Sequence, residues 1–185
     1  MSTPNNDALK IWIDADACPI PIREILFRTG QRLGVETILV ANQSIRVPRS
    51  ELIRVITVRN GADIADQTIV DQMQAGDVVI TGDIPLAARV VEKNGIAIGT
   101  RGEVFDGVSV QQRLASRNVM EQLRSAGIDT AGPKPLSAKD VQTFANSLDR
   151  TLTRLLKDTA VSSKTGTGSC PNPSQSVNQG TNTRP

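Results

Sequence analysis

The stretch KIWIDADACP, from Lys10 to Pro19, decides the reading of this chain. KIWID (10–14) reads as a buried strand that runs directly into a carboxylate, and a second carboxylate follows at Asp16. Pro21 then opens a helix, because the N–H it lacks is one the first helical turn leaves unpaired anyway. Ile22, Ile25, Leu26 and Leu33 fall on one face of that helix, and Gly34 closes it.

Working outward, the alternation continues. Val35–Val40 (VETILV) and Leu52–Val58 (LIRVITV) read as the second and third strands, and Ala62–Gln74 as a helix stopped near Gly76. Asp77–Thr81 (DVVIT) is a fourth strand, Pro85–Asn94 a helix and Ile96–Ile98 a short fifth strand. GTRGEVFDGVSV (99–110) is a glycine-rich excursion with the makings of a small hairpin. Two longer helices follow, with Ser109-x-x-Gln112 and Ser137-x-x-Asp140 as capping-box signals. The last carries Val141, Phe144, Ala145, Leu148, Leu152, Leu155 and Leu156 in a core-facing stripe. Such alternation implies an α/β fold, with a mostly parallel central sheet flanked by helices on both faces. The expected organisation is a polar leader over 1–9, one domain over 10–158 that ends in C-terminal helices, and a disordered polar tail over 159–185. No internal repeat is visible.

Composition removes several chemistries. The chain has 185 residues and no histidine, which excludes His-based acid–base catalysis, Ser-His and Cys-His nucleophiles and His-ligated zinc. Its two cysteines, Cys18 and Cys170, suffice for neither a four-cysteine metal site nor a disulfide framework, and fit a reducing cytoplasm. Cys18 reads as a small buried thiol and Cys170 as an exposed one. Trp12, Phe27, Phe105 and Phe144 are the only aromatics, so the core is aliphatic and no array of rings is on offer for stacking bases. Residues 1–158 carry 19 basic and 19 acidic side chains, and the net +2 comes from Lys164 and Arg184. The domain therefore lacks the positive field of a typical duplex binder. Its start shows no secretory signal, and no apolar run approaches the roughly 20 residues that span a bilayer.

In an open parallel sheet, ligands gather outside the carboxyl ends of the strands. Asp14 and Asp16 follow the first strand, Asp63 and Asp66 the third, and Asp83 the fourth. From Asn60 through Ala88 there are five Asp and no Lys or Arg, with Asp71 and Asp77 read as solvated helix and loop acids. Close carboxylates repel, so they take up protons or bind a cation. Hard ions such as Mg²⁺ or Mn²⁺ suit this all-oxygen set and can activate a water against phosphorus without histidine. The competing structural explanation is helix capping: Asp83 precedes Pro85, and Asp63-x-x-Asp66 has the spacing of a cap and its partner. Arg46 and Arg49 in the polar loop after the second strand, and Arg101 beside Gly99 and Gly102, are candidate substrate-phosphate ligands. No dinucleotide-binding or P-loop glycine motif occurs.

IWIDADACPIPIREIL, VANQSI, GADIADQTIV, GDVVITGDIPLAARVVEKNG and GTRGEVF resemble the YaiI/YqxD family of uncharacterised bacterial proteins, as does the segment RLASRNVMEQLRSAGIDTAGPKPLSAKDVQTFANSLDRTLTRLL. The resemblance spans roughly residues 10–156 and rests most on the DADACP and TGDIPLA blocks. That family is similar to PIN-like nuclease domains, which implies a PIN-like α/β fold. It implies Asp14, Asp66 and Asp83 as metal-binding carboxylates for Mg²⁺ or Mn²⁺, supported by Asp16 and Asp63. The expected function is metal-dependent phosphodiester hydrolysis, with RNA or another nucleic acid as partner and no membrane.

Two rivals stand beside it. One is a non-catalytic nucleic-acid- or protein-binding domain on a degenerate nuclease fold. The other is a haloacid-dehalogenase-like phosphatase, in which Asp14 would be the nucleophile and Asp16 the general acid, with Thr81 and Lys93 in the later roles. The phosphatase reading lacks its last motif, since no strand-like run after Lys93 ends in paired acids.

Overall fold

A computed structural model describes residues 9–59, 63–127 and 134–162. The expected leader apart from Leu9, the tail beyond Ser162 and Cys170 within it lie outside the described residues, as does Ala62 at the expected start of a helix.

The strands are β1 (Lys10–Asp14), β2 (Glu36–Ala41), β3 (Ile53–Thr57), β4 (Val78–Ile80), β5 (Ile96–Ile98) and β6 (Val104–Phe105). They form one sheet in the order β3-β2-β1-β4-β5-β6, parallel throughout except that β6 pairs antiparallel with β5. The helices are α1 (Ile20–Leu33), α2 (Ile64–Gln72), α3 (Ile84–Glu92), α4 (Gly107–Ser125) and α5 (Ala138–Ser162). The α/β class and mostly parallel sheet expected from the sequence are therefore present. The hairpin is there too, as β5 and β6, and α5 runs on past the expected boundary at residue 158.

Side chains alternate along each strand, and helices cover both faces. On one face Ile11, Ile13 and Leu39 pack with Ile22 and Leu26 of α1 and with Phe144, Leu148 and Leu152 of α5. On the other, Trp12, Ile38 and Val79 pack with Ile69 of α2 and Leu86 and Val90 of α3. The connection from β2 to β3 carries no helix. Residues 42–52 cross over as irregular chain, anchored by Ile45 and Val47 against the α1 face. Gly34 closes α1 in the left-handed conformation, with its N–H on the Gly30 carbonyl. Gly102 (φ +91°) lies so close to α5 that a Cβ there would meet the Phe144 backbone at 2.8 Å.

Strand order reverses at β1: the chain fills β2 and β3 to one side, then crosses to β4 on the other. That switch point, between β1 and β4, opens a crevice at the carboxyl edge. Ile13 pairs with Ile80, so Asp14 and Thr81 leave the sheet side by side.

Local readings are corrected at two places. The cap of α4 is Asp106 rather than Ser109: the helix starts at Gly107, Asp106 accepts from the Val108 and Ser109 N–H groups, and Ser109 returns a bond to the Asp106 N–H. Ser137 and Asp140 do form the expected reciprocal box. Asp77, expected to be solvated, is 3% exposed. The N–H groups of Lys10 and Gln74 and the Trp12 indole converge on its carboxylate at 2.9–3.0 Å, which holds it inside. Asp71 is exposed, as expected, and accepts from Gln67.

Candidate functional site

At the switch point lies a cleft of about 450 Å³ onto which Asp14, Asp16, Asp63, Asp66 and Asp83 all open. Three separate stretches of chain are thus brought to one place, as strand-end positions demand. Asn42 and Arg117 complete its polar wall.

Each acid is held differently. Asp14, at the end of β1, is 5% exposed and accepts from the Thr81 hydroxyl at 2.9 Å. Thr81 in turn accepts from the Asp83 N–H at 2.9 Å, so one buried hydroxyl couples two of the acids. Asp16 is exposed and accepts from the Asn42 N–H at 3.0 Å, tying the β1–α1 turn to the β2–β3 crossover. Asp63 stands before α2 with φ 63°, a left-handed conformation that strains any residue with a Cβ, and its side chain makes no capping bond. Asp66 sits in the first turn of α2. Asp83 does cap α3, accepting from the Leu86 N–H at 3.1 Å. Capping therefore accounts for Asp83 in part, and for Asp63 not at all.

Electrostatics follow from this crowding. Burial pushes the Asp14 carboxyl above the ordinary value, the Thr81 hydrogen bond opposing it and the charges of Asp16 and Asp83 adding to it. Burial pushes Asp66 up to about 6, with the negative charges of Asp14, Asp83 and Asp63 adding to it. Arg89 counteracts only weakly and is tied to Gln67. Cys18, just beyond the acidic turn, is 4% exposed with its thiol pushed up to about 12 by burial. It is a neutral packing group at physiological pH.

The candidate cations are placed less uniformly. Arg46 lines a second cavity, against α1, and Arg49 is exposed and borders neither. Arg101 is committed elsewhere, in an ion pair with Asp140 at 2.5 Å and a bond to the Lys134 carbonyl that pin its loop to the start of α5. Lys93 donates to the Val70 carbonyl and lies off the cleft lining, so it does not stand where a phosphatase lysine must. Arg117 is the residue that sequence reasoning missed. It lies on the exposed helix α4, which reaches the site by packing across α3, and nothing local in the sequence signals that path.

The donor set, all carboxylate oxygen, fits a hard divalent cation. Among the described residues, however, no group of three or more Asp, Glu, His or Cys is arranged to hold a metal ion. An ion held here would therefore have to keep several waters, with one or two carboxylates and a substrate phosphate as its other ligands, as Mg²⁺ does. Among the described residues no helix is long and apolar enough to cross a membrane.

Comparison with known proteins adds membership. The family model described as "Uncharacterized BCR, YaiI/YqxD family" matches residues 12–154. A UPF0178 protein of Aeromonas hydrophila is 53% identical over 146 residues, covering 79% of this chain and 97% of the relative. One from Shewanella sp. strain MR-4 is 53% identical over 146 residues, with 79% and 97% covered. One from Dechloromonas aromatica is 50% identical over 147 residues, with 80% and 98% covered. No solved structure matches the chain.

Proposed function

The chain belongs to the YaiI/YqxD family, and on that premise we propose that its acid-lined cleft hydrolyses phosphodiester bonds, with RNA as the substrate and Mg²⁺ or Mn²⁺ as the cofactor. The observation that carries the proposal is convergence: five carboxylates from three stretches of chain share one cleft at the sheet's switch point. The resemblance to PIN-like nuclease domains supports the same reading. Sparing use of cysteine supports a cytoplasmic setting.

A divalent ion bound here would supply charge neutralisation and a more acidic water. Asp14, Asp66 and Asp83 are the candidates, of which one or two would hold it beside a substrate phosphate. Thr81 keeps Asp14 and the chain at Asp83 in fixed relation through its two hydrogen bonds. One of the acids that flank the ion's ligands would accept the proton of the attacking water. Asp63 and Asp16 are the flanking acceptors. Arg117, the one cation among the described lining residues, would steady the phosphate against the repulsion of the acids.

A non-catalytic binding domain is the second reading, favoured by the absence of a ready-made three-ligand metal group among the described residues. Incubating a labelled single-stranded RNA with the protein and millimolar Mn²⁺ separates the two. Catalysis requires shorter products that EDTA abolishes and that Asp66→Asn reduces by about 100-fold or more. RNA that stays intact with folded wild type, or cleavage that survives Asp14→Asn and Asp66→Asn alike, overturns the catalytic reading.

A further inference from the structure

At the same carboxyl edge, a groove of about 400 Å³ is built from residues that closely follow the cleft residues in the same two segments. The β1–α1 segment gives Asp14, Asp16 and Ala17 to the cleft, then Ile20, Arg23 and Phe27 to the groove. The β2–β3 crossover gives Asn42 to the cleft, then Ile45, Arg46 and Pro48 to the groove. The Asp16–Asn42 bond joins the two segments at residues that line the cleft, three or four positions before Ile20 and Ile45 of the groove. Among the described residues neither Arg23 nor Arg46 enters an ion pair. Ile20 stands 62% exposed on the groove wall. Glu24 is the single acid on that wall, which leaves it net positive.

We propose that this groove is the subsite for the nucleotide adjoining the cleaved bond, so that the substrate is a single-stranded nucleic acid. The inference rests on the phosphodiesterase reading of the cleft and adds to it the strand's register and form.

A polyanion laid across five carboxylates is repelled, and residues 1–158 have no net charge to offset this. Attachment has to come from cations placed locally. Arg23 and Arg46 supply two, and guanidinium groups can grip phosphate oxygens in a bidentate way. The wall formed by Ile20, Phe27, Ile45 and Pro48 gives the sugar and base an apolar surface. Because that surface is mostly aliphatic, base contact adds little specificity, and affinity depends on the phosphate contacts. The volume is of the order of one nucleotide, and a base can lay its face on that wall only when it is unstacked, as in a single strand. RNA and DNA share this chemistry up to the sugar hydroxyl.

The test is fluorescence anisotropy in EDTA, where no cleavage occurs, with a short labelled oligouridylate, its deoxy counterpart, and the RNA annealed to its complement. Wild type should bind the single strands about tenfold more tightly than the duplex. The Arg23→Gln/Arg46→Gln double variant should lose about tenfold and lower the slope of log K against log salt by about 1.4, for two lost single-strand phosphate contacts. Arg154→Gln, in α5 beyond the Arg32–Asp149 pair at the other end of α1, should bind as wild type. A folded double variant that binds with unchanged affinity and slope, or a duplex bound as tightly as the single strand, overturns the groove. If binding depends on the arginine pair while Mn²⁺ never yields products, the groove stands and the catalytic reading falls. If products form but binding ignores the pair, the reverse holds. RNA bound in preference to its deoxy counterpart places a contact on the ribose hydroxyl, and equal binding confines recognition to phosphate and base.

Discussion

Asp14 and Asp77 are both buried aspartates, placed at opposite ends of the paired strands β1 and β4. Asp77, at the amino end, receives three donors: the Lys10 and Gln74 N–H groups and the Trp12 indole. Asp14, at the carboxyl end, receives the Thr81 hydroxyl and a backbone N–H, and faces the charges of Asp16 and Asp83. A carboxylate that collects donors is a fastener. One that collects other carboxylates costs stability, and such a cost at a sheet's ligand edge is what the proposed function asks of a site.

The largest test of this contrast is Asp77→Ala. It strands three buried or half-buried donors, so urea denaturation should show a loss of about 3 kcal/mol or more, with activity per folded molecule unchanged. A smaller loss would mean that Asp77 is no fastener. Thr81→Val comes next: it removes the hydroxyl between Asp14 and the Asp83 N–H, and about 2 kcal/mol of stability should go with it.

Asp66→Asn should move the other way. Its folded proton affinity is raised, up to about 6 from 3.8, so its contribution to stability is greatest below 3.8 and is lost as pH rises through 6. Being partly exposed, it is screened, and the variant should gain about 1 kcal/mol at about pH 8 and nothing in acid, by thermal melts across pH. Equal melting shifts at both pH values would dissociate the effect from titration. The smallest effect belongs to Asp83→Asn, because asparagine caps a helix as well as aspartate does. Its stability should stay within about 0.5 kcal/mol of wild type, which makes it the clean probe of charge in the cleft.

The strand-end acids were legible because their position depends only on where short apolar runs stop, as at Ile13-Asp14 and Ile80 through Asp83. Local chemistry likewise marked Gly34 and the Ser137–Asp140 box. What escaped depends on long-range geometry. Asp77 looks like any loop acid until the Trp12 indole, 65 positions earlier, reaches it across the sheet. Arg117 lies on α4, whose exposed face mixes polar side chains with Val108, Val119 and Met120, and only the docking of α4 on α3 brings it to the cleft. Arg46 belongs to the loop after β2 at that same edge, and the anchoring of Ile45 and Val47 against the α1 face brings it to the second cavity.

The most direct test of the acid cleft is Mn²⁺ binding by titration calorimetry, on wild type and Asp83→Asn, with and without a non-cleavable phosphodiester. Saturable binding to wild type is expected, tightened by the phosphodiester and lost in the variant, whose cap and fold survive. No heat of binding at millimolar Mn²⁺ in either condition, or identical binding by the variant, would contradict it.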